Sequence, residues 1–215
     1  MPVLFADRDD AGRQLAGEVA HRRVAAPVVV GLPRGGVPVA YQIATAIGSP
    51  LDVLLVRKLG VPHQPELAMG AIGEGGVEVL HDQTIRLAGV SPGAVATVER
   101  RERAEIQRRS ALYREGERFA LRGRTVIIVD DGLATGATAL AACRVARAEG
   151  AAWVVLAVPV APPDWTDRIG PAADEFIALE TPDDFEAVGQ YYADFSATTD
   201  EQVISLLAAA REDGR

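Results

Sequence analysis

Short apolar runs alternate along this chain with stretches of helical period, and that alternation predicts its elements one by one. Residues 9–23 carry Leu15 and Val19 with alanines between them, the spacing of a helix with one buried face. Val28-Val29-Val30 reads as a short buried strand, 37–47 as a helix and 51–56 as the next strand. From 60 to 76, glycine and proline break any period, which predicts a long irregular segment of the kind that serves as a functional loop or lid. Val77-Glu78-Val79-Leu80 then reads as one arm of a hairpin. Ser91-Pro92 joins a capping hydroxyl to a proline suited to a first turn, and opens a helix running to about Glu115. Val126-Ile127-Ile128-Val129 is a buried strand, followed by an alanine-rich helix through Glu149 and a strand over 153–158.

This succession predicts an α/β fold, a doubly wound and mostly parallel sheet flanked by helices. Beyond Pro162 the chain turns acidic and aromatic, with Trp165, Phe176, Phe185, Tyr191, Tyr192 and Phe195. We therefore expect a core over 1–160 with a flexible lid near 58–80, and a small C-terminal hood over 161–215 that grips a substrate.

Composition narrows the function. At 215 residues the chain can bury one full core with an appendage, and 48% hydrophobic with 24% charged residues is ordinary for a soluble globular protein. A formal charge of −8 argues against general nucleic-acid binding. The arginine-bearing helix at 99–109 pairs Glu99 with Arg103 and Glu105 with Arg109 at i,i+4, so it reads as a solvated face. The lone Cys143 predicts a packed thiol in a reducing cytoplasm. No leader pattern and no apolar run of about 18 residues is found, so no membrane role is expected. There is no Cys/His cluster with structural-zinc spacing.

The chemistry concentrates after the strand at 126–129, in Asp130-Asp131-Gly132-Leu133-Ala134-Thr135-Gly136-Ala137-Thr138. Free N–H groups at a helix start suit an anion, while the Gly-Lys-Ser/Thr ending of a P-loop is missing. Two carboxylates beside a phosphate cradle point to a ligand with both a phosphate and hydroxyls, such as a ribose phosphate. The first strand ends in Pro33-Arg34-Gly35-Gly36, where two glycines permit close backbone approach to an anion and Arg34 offers a forked donor. Arg57-Lys58 follow the second strand, either as anion ligands or as plain surface cations.

The 126–138 segment resembles the phosphoribosyl-pyrophosphate (PRPP) motif of type I phosphoribosyltransferases, and the spacing of its other parts resembles a group of uncharacterised bacterial members. The resemblance covers about 25–160 well and the hood poorly. It implies that Asp130 and Asp131 hold the ribose hydroxyls, and that Ala134, Thr135, Gly136, Ala137 and Thr138 cradle the 5′-phosphate. It implies too that Arg34, Gly35, Gly36, Arg57 and Lys58 meet the pyrophosphate, with a cis peptide near Arg34-Gly35. Mg²⁺ would be held through PRPP and water near Asp130 and Asp131. His63 and Glu66 fall in the expected lid, His63 as a catalytic group or a solvated loop histidine. The segment from Glu180 to Tyr192 resembles the acceptor end of 6-oxopurine enzymes and makes Phe185 a base-stacking residue or plain core. Two departures blur the acceptor: Ala173 stands where relatives carry a lysine, and Ala134 where they carry an acid. The expected activity is transfer of the phosphoribosyl group from PRPP to a nitrogen heterocycle in a cytoplasmic homodimer. A PRPP sensor without turnover and a sugar-phosphate hydrolase are the competing readings.

Overall fold

A computed structural model describes residues 3–22, 25–114 and 118–213, with residue 213 described by its backbone only. In chain order its main elements are α1 (Arg8–Ala20), β1 (Pro27–Gly31), α2 (Gly36–Ile47), β2 (Leu51–Val53), β3 (Val56–Val61), β4 (Gln64–Gly73) and β5 (Glu78–Leu80). They continue with α3 (Asp82–Leu87), α4 (Pro92–Tyr113), β6 (Thr125–Val129), α5 (Ala137–Ala148), β7 (Trp153–Val160), α6 (Trp165–Ile169), β8 (Glu175–Glu180) and α7 (Asp200–Asp213).

Among the described residues β2, β1, β6, β7 and β8 form, in that order, one fully parallel sheet. Alternation along its strands divides the core in two. Val29, Ile127, Val129, Val155 and Ala157 pack with α1 and α2 on one face, while Val28, Val30, Val126, Ile128, Val154 and Leu156 pack with α5 on the other. The register sets Gly31 beside Val129 and Val129 beside Ala157. The carboxyl ends of these strands are therefore level, and the loops leaving them are neighbours. An open parallel sheet binds its ligands at that edge.

One expected element is corrected. The stretch from 60 to 76 is mostly sheet: β3 and β4 pair antiparallel, β5 pairs on the other side of β4, and a single 3-10 turn spans Glu74–Gly76. Glycine and proline hid the strands because the chains approach closely here. A Cβ on Gly60 would lie 2.4 Å from the Pro65 carbonyl oxygen, at a bulge in the register. The strand expected over 51–56 accordingly divides, with Leu54 and Leu55 linking β2 to β3. Arg57 and Lys58 thus lie within β3 and not at a parallel strand's carboxyl end.

Helix boundaries follow their caps. The Asp7 side chain accepts from the Asp10 amide and starts α1, and the Ser91 hydroxyl accepts from the Ala94 amide and starts α4. The expected end points Arg23 and Glu115 lie outside the described residues. The two i,i+4 pairs on α4 are present, Arg103–Glu99 at 2.6 Å and Arg109–Glu105 at 2.7 Å. Cys143 is buried in the core, and burial pushes its thiol up to about 12. No described helix is long and apolar enough to cross a membrane.

Candidate active site

Two loops meet at the carboxyl edge of the parallel sheet. The first leaves β1, where the Leu32 amide bonds the Val129 carbonyl at 2.8 Å and ties the loop to the end of β6. The peptide between Pro33 and Arg34 is cis, one bond earlier than the position expected from sequence. Gly35 and Gly36 then lie directly on the acidic pair. A Cβ on Gly35 would sit 2.0 Å from Asp131 Oδ2, and one on Gly36 would sit 2.9 Å from the Asp130 Cα. Only a residue without a side chain lets the two loops come this close.

The second loop runs from β6 through Asp130 and Asp131 to α5. Gly136 caps that helix with φ 79°, a left-handed turn that glycine adopts without strain. Ala134, Thr135 and Thr138 are exposed, and the Thr135 hydroxyl accepts weakly from the Ala137 amide at 3.4 Å. Burial, followed by repulsion from Asp131, pushes the Asp130 carboxyl well above the usual range. Burial also raises Asp131, against the opposing pull of Arg8, whose Nε donates to Asp131 Oδ2 at 2.8 Å.

Arg57 and Lys58 leave opposite faces of β3. Arg57 donates to Glu102 on α4 at 2.7 Å, and with Pro33, Arg109 and Thr138 it lines a small crevice beside the first two loops. Lys58 pairs with the exposed Glu66 at 3.1 Å and faces a cavity of about 170 Å³ bounded by Thr135, Gly136 and Ala137. Each cation thus shares a cavity with residues of the 135–138 segment. His63 sits exposed at the hairpin turn, away from these contacts. Arg34 is half exposed and lies 3.9 Å from Asp200. Phe185 stacks on Tyr191 with centroids 5.7 Å apart, so one of its faces is already covered. Val188, three residues on, packs against Gly132.

Sequence reasoning missed three arginines here. Arg8 belongs to α1, 123 residues from its partner Asp131. Arg168 on α6 donates to the Ala134 carbonyl at 2.8 Å and so braces the loop between β6 and α5. Arg144 on α5 lies against His81, and both line the cavity with Lys58. No local pattern marks these residues, because each acts across long sequence separation. Replacing Arg168 by alanine is expected to remove about 1 kcal/mol of loop bracing and to weaken phosphate binding there about fivefold. Calorimetric titration checks this, and an unchanged affinity would show that the loop holds itself.

The phosphoribosyl transferase domain model matches residues 9–196 of this chain. The chain belongs to the phosphoribosyl transferase family. A solved structure of TT1426 from Thermus thermophilus is 45% identical, with a TM-score of 0.89 over 96% of this chain and 98% of its own. "Putative phosphoribosyl transferase Rv0571c" of Mycobacterium tuberculosis is 55% identical over 211 residues, 98% of this chain and 48% of that protein. The chain therefore spans about half the length of the curated relatives it matches. A hypothetical protein from Neisseria gonorrhoeae, solved with bound ppGpp, is 15% identical with a TM-score of 0.52 over 98% of this chain and 97% of its own, a likeness of fold alone. The family fold expected from sequence, a mostly parallel sheet flanked by helices, is the one observed.

Proposed function

We propose that this phosphoribosyl transferase moves the 5-phosphoribosyl group of PRPP to a ring nitrogen of a small heterocycle and releases pyrophosphate. The observation that carries the proposal is the contact of the Gly35-Gly36 loop with Asp130 and Asp131, beside the start of α5. Receptors suited to a pyrophosphate, two hydroxyls and a phosphate thereby adjoin one another, the order in which PRPP presents those groups. In the reaction the C1–O bond to pyrophosphate breaks, a C1–N bond forms, and the acceptor nitrogen gives up its proton. Asp130 and Asp131 receive the ribose hydroxyls, and the amides of residues 134–138 with the Thr135 and Thr138 hydroxyls hold the 5′-phosphate. Arg34, Arg57 and Lys58 receive the charge that develops on the leaving group. Phe185 stacks on the acceptor ring.

Mg²⁺ fits this donor set. Among the described residues no group of three acids, histidines or cysteines forms a metal cage, while the adjacent carboxylates Asp130 and Asp131 lie against the Gly35-Gly36 loop. That is the usual environment of Mg²⁺, which keeps its waters and binds through one or two carboxylates and substrate phosphates. When bound it would neutralise pyrophosphate charge, with Asp130 and Asp131 holding its water shell.

Asp131→Asn tests the proposal. The amide oxygen can still accept from Arg8, so the fold is expected to stand, while the lost charge and acceptor depress turnover at least tenfold. Pyrophosphate release against a panel of bases, with melting by circular dichroism, reads both. Unchanged turnover would remove the acidic pair from the reaction. PRPP binding without turnover on any base would favour the sensor reading.

A further inference from the structure

Asp131 is gripped from three directions, and none of the grips comes from the motif that contains it. Its backbone carbonyl accepts from the Tyr192 hydroxyl at 2.6 Å. Its Oδ2 accepts from Arg8 Nε at 2.8 Å, with Gly35 closing over the same oxygen. Arg8 is itself fixed twice more: Nη1 donates to the Ser196 carbonyl at 2.7 Å, and the guanidinium lies 4.0 Å from the centroid of the Phe195 ring. Phe195 in turn packs on Tyr192, with centroids 4.9 Å apart. The ring is closed, from the Asp131 side chain through Arg8, Phe195 and Tyr192 to the Asp131 backbone.

The backbone explains how this ring forms. The Phe5 amide bonds the Tyr191 carbonyl at 3.0 Å, the Ala193 amide the Phe5 carbonyl at 2.8 Å, and the Asp194 amide the Ala6 carbonyl at 2.9 Å. The segment before α1 thus pairs with the segment that carries Tyr192, Phe195 and Ser196. Asp7 caps α1 immediately afterwards, which sets Arg8 at the first helical position, facing the acid. An ordinary surface ion pair contributes little because two long side chains must be ordered to make it. Here the guanidinium is already ordered by a carbonyl and a ring, and its side chain is only 12% exposed. It can therefore impose an orientation on Asp131 at small entropic cost.

We propose that Arg8 is a positioning residue: by holding Asp131 through Oδ2 it turns Oδ1 toward the ribose hydroxyls of the sugar phosphate. The inference rests on the proposed function, because it takes the acidic pair as the hydroxyl receptor. It goes further by assigning the setting of that receptor to α1 and the C-terminal segment. In this role Arg8 acts through Asp131 and not on the substrate itself. Its removal is felt through the hydroxyls and not through the phosphate.

The test measures binding of ribose 5-phosphate and its 2-deoxy and 3-deoxy analogues by calorimetry, with melting temperatures recorded alongside. The wild-type chain is expected to prefer ribose 5-phosphate to at least one analogue. Arg8→Ala should weaken ribose 5-phosphate about tenfold and that analogue less than twofold, so the preference collapses. Arg8→Lys should restore part of it, since the charge remains while the fork is lost. Phe195→Leu, which keeps Arg8 but removes its ring, should fall between the two and serves as well if Arg8→Ala does not fold. Equal weakening of all three ligands would assign Arg8 a structural role and overturn the proposal, as would an undiminished preference in the variants. Failure of the wild type to bind any of the ligands, or to prefer ribose 5-phosphate over either analogue, would overturn the proposed role of the acidic pair itself.

Discussion

Alanine in place of Gly35 is expected to lower turnover and PRPP affinity at least a hundredfold while the protein still folds. Gly35 has φ −61° and ψ −32°, an ordinary right-handed backbone open to any residue. What glycine supplies here is only the missing side chain. The added methyl would lie 2.0 Å from Asp131 Oδ2, 2.6 Å from its Cγ and 3.2 Å from Arg8 Nε. Asp131 is held by Arg8, so either the carboxylate swings out of its present position or the 33–36 loop withdraws from it. A displacement of about 1 Å in a reacting assembly is enough for about a hundredfold loss. Steady-state pyrophosphate release and PRPP titration measure the effect, with thermal melting as the control for folding. Activity within threefold of the wild type would mean that this loop and the acid pair do not act together.

The parts of this site that could be read from sequence are those whose signal is local. Four β-branched residues at 126–129 are buried on both faces of a parallel strand, and such strands read as continuous apolar runs. The acids, glycine and threonines that follow them lie within ten residues and keep their spacing in the fold. The hairpin at β3 and β4 stayed hidden for the opposite reason. Gly60, Gly70 and Gly73 replace side chains where Pro65, Val79 and Val145 press against the strands, so the period of two is broken where pairing is tightest. The acids and aromatics after Pro162 likewise masked β8, whose residues join the main sheet beside β7. Arg8, Arg144 and Arg168 carry no pattern at all. Their partners were chosen by topology, which brings α1, α5 and α6 to one edge.

Replacing Arg114 by methionine is expected to destabilise the fold by about 3–5 kcal/mol, because two buried carboxylates would lose their shared cation. Arg114 follows α4, with Nη1 at 2.7 Å from Asp52 on β2 and Nε at 2.8 Å from Glu74 after β4. A third bond, from Nη2 to the Val53 carbonyl, is 3.0 Å long. Asp52 and Glu74 are only 4% and 8% exposed. One guanidinium therefore ties the end of the β3–β4 hairpin to the edge of the parallel sheet, and with it the placement of Arg57 and Lys58 beside the loop between β6 and α5. The pH dependence has a definite sign. Burial raises the Glu74 carboxyl, but the bonds from Arg114 and Ser110 outweigh it and leave it below the usual carboxylate range. A depressed acid stabilises the fold above its unfolded value and loses that stabilisation as pH falls through the folded one. The wild type should therefore weaken below about pH 4.5, and the variant should show a shallower acid slope from a lower start. Urea unfolding followed by the fluorescence of Trp153 and Trp165 at pH 7 and in mild acid reads both quantities. A loss under about 1 kcal/mol at pH 7 would show that packing alone holds the hairpin against the sheet. A large loss, with PRPP binding weakened in the fraction that stays folded, would mean that the distance between the two basic residues and the loop between β6 and α5 is set by this buried arginine.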